Sequence, residues 1–203
     1  VASPPLNPLT STLRRIAGDL HAAGREWALI GGLAIGARAE PRTTRDVDLA
    51  VAVTSDAEAE ALVFELQSRG YRTLAAVEQE AVGRLATVRL LPPGEGQSGV
   101  LVDLLFASSG IEPEIARAAE PLEIVPGLEV PVARIGHLMA LKVLARDDRA
   151  RPQDLDDLRA LVVEAGPEDL ADAGAALRLI DARGFHRGRR LCEELERLLA
   201  TQS

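Results

Sequence analysis

The segment TRDVDLAVAV, residues 44–53, constrains this chain more than any other stretch. Its second half reads as a buried β-strand, yet its head carries Asp46 and Asp48. The two-residue period of a strand turns both carboxylates to one side, while Val47 and Leu49 take the other. A sheet built on this strand has two like charges sharing a face, and some cation has to answer them. A second apolar segment, VLVDLLF at 100–106, sets Asp103 at its centre with three apolar residues on each side. An unpaired ionised carboxylate is costly there, so Asp103 is expected to be neutralised, ion-paired or bound to metal.

The remaining pattern supplies a sheet and its covering helices. Strands are expected at 27–30 (WALI), 46–53, 71–77, 84–91 and 100–106, with LEIV and LEVPV as two brief extended pieces. Asn7-Pro8 opens a helix that runs to about Ala23 and ends at Gly24, and Thr54 or Ser55 caps an acidic amphipathic helix that ends at Gly70. A small-residue helix follows Gly31-Gly32, and a short one lies near 111–118. PPGEGQSG, between the strands at 84–91 and 100–106, reads as a turn or hairpin loop. From Arg134 onward the pattern is helical, at 134–147, 153–165, 167–182 and 188–200. The expected class is α/β (α+β): a small mixed sheet with flanking helices over residues 1–131, then a C-terminal helical bundle over 132–203 that packs on it.

Composition removes several function classes. Aromatic residues make up only 2% of the chain, which argues against a base-stacking platform. A net charge of −8 disfavours indiscriminate polyanion binding but leaves room for a local basic site. Two clusters qualify: Arg38, Arg42 and Arg45 before the carboxylate pair, and Arg183, His186, Arg187, Arg189 and Arg190, the latter read as a solvated helix start in preference to a site. No apolar run approaches the roughly 18 residues of a membrane span, and the single Cys192 forms no internal disulfide, so a cytoplasmic protein is expected. Of 23 basic residues only Lys142 is a lysine, which marks a place where a compact ammonium is wanted rather than a planar guanidinium.

Three aspartates on neighbouring strands suit an all-oxygen Mg²⁺ site, whereas the three scattered histidines show no zinc spacing. Gly31-Gly32 between a strand and a helix reads either as a tight turn or as backbone that a phosphate can approach. Together, a strand ending in Gly31-Gly32, 13 intervening residues, Asp46-Val47-Asp48-Leu49 and the later Asp103 resemble the signature of the DNA-polymerase-β-like nucleotidyltransferase superfamily. That resemblance implies two Mg²⁺ ions, replaceable by Mn²⁺, on Asp46, Asp48 and, for one ion, Asp103. It further implies a nucleoside triphosphate attacked in line at its α-phosphorus by an acceptor hydroxyl.

The segment LMALKVLARDDRARPQDLDDLRAL is similar to the AbiEii-like group of abortive-infection toxins within that superfamily, through Leu138, Lys142, Ala145, Arg149, Arg151, Asp154, Leu155, Asp157 and Leu158. Thr44 and Arg45 fit that group's lead-in to the carboxylate pair. The resemblance implies Lys142 in catalysis as a point charge on the triphosphate, and Gly31, Gly32, Thr44, Arg45, Lys142, Asp154 and Asp157 around the nucleotide. It also implies the 3′ end of a tRNA or a small hydroxylated molecule as acceptor, and a cognate antitoxin as partner. The residues alone leave alternatives. Lys142 suits a snorkelling surface position, and Asp154 and Asp157 suit the dipole at a helix start, with Asp156 facing solvent. The chain as a whole also suits a catalytically silent nucleotide- or partner-binding module. A purely structural role for Asp103 requires a buried arginine beside it, and Arg89 is one candidate.

Overall fold

Residues 7–41, 43–79, 82–96, 99–146 and 152–201 are described by the computed structural model. The elements run α1 (Pro8–Ala22), β1 (Trp27–Ile30), α2 (Gly31–Arg38), β2 (Asp46–Val51), α3 (Asp56–Ser68), β3 (Arg72–Gln79), β4 (Arg84–Leu91) and β5 (Leu101–Leu105), then α4 (Glu112–Ala118), β6 (Glu120–Val125), β7 (Leu128–Val132), α5 (Ile135–Ala145), α6 (Pro152–Glu164), α7 (Pro167–Ala182) and α8 (Leu191–Ala200). The strands form one mixed sheet in the order β3-β4-β5-β2-β1-β7-β6. Pairs β2–β5 and β1–β7 are parallel, and the other neighbours are antiparallel.

Local chemistry sets the elements. In α1 the Asn7 Oδ1 accepts from Leu9 N–H at 3.1 Å, Pro8 occupies the first turn, and helical spacing aims Leu13, Ile16 and Leu20 into the core. In α3 the Ser55 Oγ accepts from Glu58 N–H, while the Glu58 carboxylate accepts from Thr54 N–H. The strands β1, β2 and β5 occupy the middle of the sheet, which is why their sequences are nearly continuous apolar runs. Strand β3 lies at the edge, and Leu74 and Val77 are exposed there despite an apolar sequence.

One continuous core joins the sheet, through residues such as Leu29, Leu49 and Leu104, to the last four helices, through Leu138, Leu177 and Leu195. Helix α5 packs against α6, α7, α8 and α2, and so hangs the C-terminal helices beside the β1–α2 corner. Differences from the sequence reading are confined to ends. Strand β2 stops at Val51, and α8 begins at Leu191 rather than 188, because Arg187 and Gly188 both adopt left-handed backbone that a helix cannot use. Among the described residues, no helix is long and apolar enough to cross a membrane.

Candidate active site

The site grows from register. Strand β2 alternates, so Val47 and Leu49 are buried while Asp46 and Asp48 share a partly buried face. Antiparallel pairing sets Ile30 opposite Asp48, which brings the following residue, Gly31, against the Asp48 carboxylate. A Cβ on Gly31 would stand 2.6 Å from Asp48 Cγ, and the Gly31 φ of +64° lies in the left-handed region. Glycine is thus required twice, by backbone conformation and by contact. The tight-turn reading of the pair accounts for Gly31, and the first residues of α2, Gly31 and buried Gly32, form one wall of the cavity described below.

Parallel pairing of β2 with β5 places Asp103 beside Asp48, and antiparallel pairing of β4 with β5 places Arg89 opposite Asp103. Arg89 grips both oxygens: Nε donates to Oδ1 at 2.8 Å and Nη2 donates to Oδ2 at 2.6 Å. Asp103 is buried, at 7% exposure, but the Arg89 side chain remains 43% exposed, so the pair is open to solvent on the arginine side. The demand that the sequence made of Asp103 is met by an ion pair. The arginine is a surface group rather than a buried one.

Asp48 keeps its charge at a cost. Its pKa is pushed up to about 6, first by burial and then by the neighbouring charges of Asp103 and Asp46, with Lys142 and Arg89 acting in the opposite sense. Lys142, on α5, does not snorkel to solvent. Its Nζ lies 2.7 Å from Asp154 Oδ1 and 2.8 Å from Asp157 Oδ2, and both aspartates are buried. Helical i,i+3 spacing on α6 presents Asp154 and Asp157 together, so they act as a clamp on the ammonium rather than as a solvated helix start. Asp154 Oδ2 is buried with no hydrogen-bond partner. Asp156 faces solvent.

These groups border a cavity of about 560 Å³, ordinary for a small-molecule site. Gly31, Gly32, Thr44, Asp46, Asp48, Lys142 and Asp154 line it, bringing seven of the sequence-predicted residues together. Asp157 contributes through Lys142, and Asp103, beside Asp48 and paired with Arg89, is not among the lining residues. Arg45 is exposed and is not among the lining residues, and Arg38 is spent elsewhere. The Arg38 guanidinium donates to Val132 and Ala133 carbonyls and pairs with Glu120, so of the first basic cluster neither Arg38 nor Arg45 lines the cavity. Arg42, Arg149 and Arg151 lie outside the described residues.

The sequence reading missed the opposite wall. Ser108 and Ser109 follow the end of β5, and Arg187 comes from the second basic cluster. Buried Glu112 accepts from Ser109 N–H at 2.7 Å and Ser109 Oγ at 2.9 Å, which fixes this loop. The cluster is only in part a solvated helix start: Arg190, at the N-cap of α8, is 80% exposed, whereas other members fasten the loop. Arg183 pairs with Glu114 at 2.7 Å and donates to Gly110 O, Arg187 donates to Ser108 O at 3.4 Å, and Phe185 packs where a Cβ on Gly110 would otherwise stand. The one signal available was Ser-Ser-Gly directly after the strand that carries Asp103.

The donor set can be tested against the metal that the fold family implies. Asp46 and Asp48 fit a hard cation: both offer oxygen, both face the cavity, and the raised pKa of Asp48 registers negative charge that a cation would relieve. Asp103 does not offer a free oxygen, because Arg89 holds both. Among the described residues, no three carboxylate, imidazole or thiol groups converge as a ready-made metal cluster.

The mixed-sheet fold is similar to that of solved nucleotidyltransferases, and an enzyme of that class is what the fold and the family define. The chain belongs to the AbiEii nucleotidyl transferase toxin family of type IV toxin–antitoxin systems, whose family model matches residues 15–202. Among solved structures it is similar to the antibiotic-resistance factor ANT(2″)-Ia in solution, with 19% identity over 85% of this chain and 92% of that one and a TM-score of 0.53. It is similar also to an antigenic nucleotidyltransferase-like protein from Paracoccidioides brasiliensis, with 20% identity over 93% and 92% and a TM-score of 0.52. A third is the lincosamide antibiotic adenylyltransferase LnuA, with 12% identity over 78% and 100% and a TM-score of 0.50. No curated protein matches the chain.

Proposed function

We propose that this protein is a Mg²⁺-dependent nucleotidyltransferase that moves a nucleoside monophosphate from a nucleoside triphosphate to an acceptor hydroxyl. The observation that carries the reading is the facing arrangement in one cavity: Asp46 and Asp48 on β2, and Lys142, fixed by Asp154 and Asp157, on α5. The acceptor oxygen forms the new bond to the α-phosphorus, the bond to the β-phosphate bridge breaks, pyrophosphate leaves, and the hydroxyl proton is released.

Asp46 and Asp48 would hold the ions, and Asp103 would join them only by giving up part of its fork with Arg89. Bound Mg²⁺ supplies charge neutralisation at the attacking and leaving oxygens. Lys142 sets one positive charge against the triphosphate, and its clamp keeps the ammonium from wandering. Gly31 makes room for the Asp48 carboxylate, and with Gly32 it brings the start of α2 into the cavity wall, where backbone N–H groups would meet phosphate oxygens. Thr44, also in the cavity wall, is a nucleotide contact. As acceptor we favour the 3′ end of a tRNA over a small hydroxylated molecule of the lincosamide kind, with a cognate antitoxin as partner and a cytoplasmic location.

The test is incubation with each labelled nucleoside triphosphate, Mg²⁺ or Mn²⁺, total tRNA and small hydroxylated acceptors, with Asp46→Asn as control. Transfer that vanishes in the variant supports the proposal. No transfer to any acceptor, together with no triphosphate binding, sinks it. One observation favours a second reading, a nucleotide-binding module without turnover: both Asp103 oxygens are committed to Arg89. Triphosphate binding without transfer, and a cellular effect unchanged by Asp46→Asn, would select it.

A further inference from the structure

Next to the catalytic cavity lies a second hollow of about 460 Å³, of a different character. Among the described residues, arginines 146, 159, 189 and 197 line it with a single carboxylate, Glu194, in a chain whose net charge is −8. Such a concentration of one sign needs a reason. Capping of helix ends accounts for one of the four: Arg189 donates to the carbonyls of Leu144 and Arg146 at the end of α5, and Glu194 matches its charge. Arg159 and Arg197 are not explained that way. Their nearest carboxylates, Asp156 at 3.5 Å and Glu193 at 4.0 Å, are themselves mostly exposed, and such pairs contribute little.

The two hollows share one partition. Helix α5 gives Leu144 and Ala145 to the catalytic cavity, and the next residue, Arg146, lines the second. Helix α6 gives Asp154 to the first and Arg159 to the second, about 7.5 Å further along its axis. The segment after α7 gives Arg187 to one and Arg189 to the other. A group held by Arg159 and Arg197 therefore sits within reach of one phosphorylated sugar from Lys142. Guanidinium groups match phosphate oxygens in geometry as well as charge.

We infer that the second hollow is an anion site that takes a phosphate group of the acceptor, so that the acceptor is phosphorylated rather than neutral or cationic. This rests on the transferase proposal for its meaning, but its test does not. Full-length protein, without nucleotide or added metal, is titrated with inorganic phosphate by calorimetry and with a labelled hexaribonucleotide by anisotropy over a salt series. The variants are Arg159→Gln with Arg197→Gln, two largely exposed helix positions, and separately Asp46→Asn; circular dichroism checks that each is folded.

The paired arginine variant should bind at least about tenfold more weakly, with a salt slope lower by about two, because two phosphate contacts are gone. Asp46→Asn should bind no more weakly than wild type. Tighter binding of the oligonucleotide than of phosphate assigns the group to a polynucleotide backbone, and equal binding assigns it to a small phosphorylated acceptor. Wild type binding neither probe, or the arginine variant binding both as wild type does, overturns the inference. If transfer fails with every acceptor while the arginine variant still loses the probe, the transferase proposal falls and the anion site stands.

Discussion

Asp48→Asn should make the protein more stable while removing a residue of the proposed site. The carboxyl pKa rises from 3.8 to about 6 on folding, so the folded chain holds that proton more tightly than the unfolded one. Stability from this group is fully present below about pH 3.8 and is lost as pH rises through about 6. Two pKa units correspond to about 3 kcal/mol of penalty above pH 7 in the absence of a bound cation. Asparagine has nearly the same shape and never ionises. The variant should therefore gain about 2–3 kcal/mol at pH 8, which is about 5–10 °C in melting temperature for a chain of this length. Urea denaturation at pH 8 and near pH 4 measures it, with the gain nearly absent at the acid end. Added Mg²⁺ should narrow the gap by stabilising wild type alone. A variant no more stable than wild type at pH 8, or a gain equal at both pH values, would refute the account of Asp48 as a group ionised at a cost.

Three further outcomes follow from the same geometry. Lys142→Met strands buried Asp154 and Asp157 and should cost about 3–5 kcal/mol in urea denaturation; adding Asp154→Asn and Asp157→Asn should recover most of it. Gly31→Ala should cost about 1–2 kcal/mol for the left-handed backbone and more for the clash with Asp48. In an Asp48→Gly background only the backbone part should remain. Arg89→Met should destabilise by about 1–3 kcal/mol by leaving Asp103 without its fork. It should also tighten Mn²⁺ binding, read by electron paramagnetic resonance, because a third carboxylate is then released.

The middle of the sheet and the acid half of the site were legible because they depend on short-range periodicity. Alternation alone put Asp46 and Asp48 on one face, and i,i+3 spacing alone put Asp154 and Asp157 on another. Asp103 was legible as a problem, with Arg89 named only as one candidate partner. Its pairing with Arg89 depends on the register of β4 against β5 across a Pro-Gly-rich loop, which no local pattern specifies. The serine wall and Arg187 were hidden for a stronger reason: Ser108 and Arg187 are 79 positions apart, and their meeting depends on how α7 leaves the core. The left-handed Arg187, a conformation that disfavours side chains with a Cβ, gave no warning in composition.

The strap from Arg183 to Arg189 also sets an order of assembly. All seven described strands lie between residues 27 and 132, so the segments that carry Asp46, Asp48 and Asp103 are made before Lys142. The carboxylates of β2 and β5 thus precede the Lys142 ammonium and its two aspartates along the chain. The loop of Ser108 and Ser109 waits longer still, until Arg183, Phe185 and Arg187 arrive to fasten it. A protein built this way carries its carboxylates early in the chain but completes its cavity only with residues 183–187.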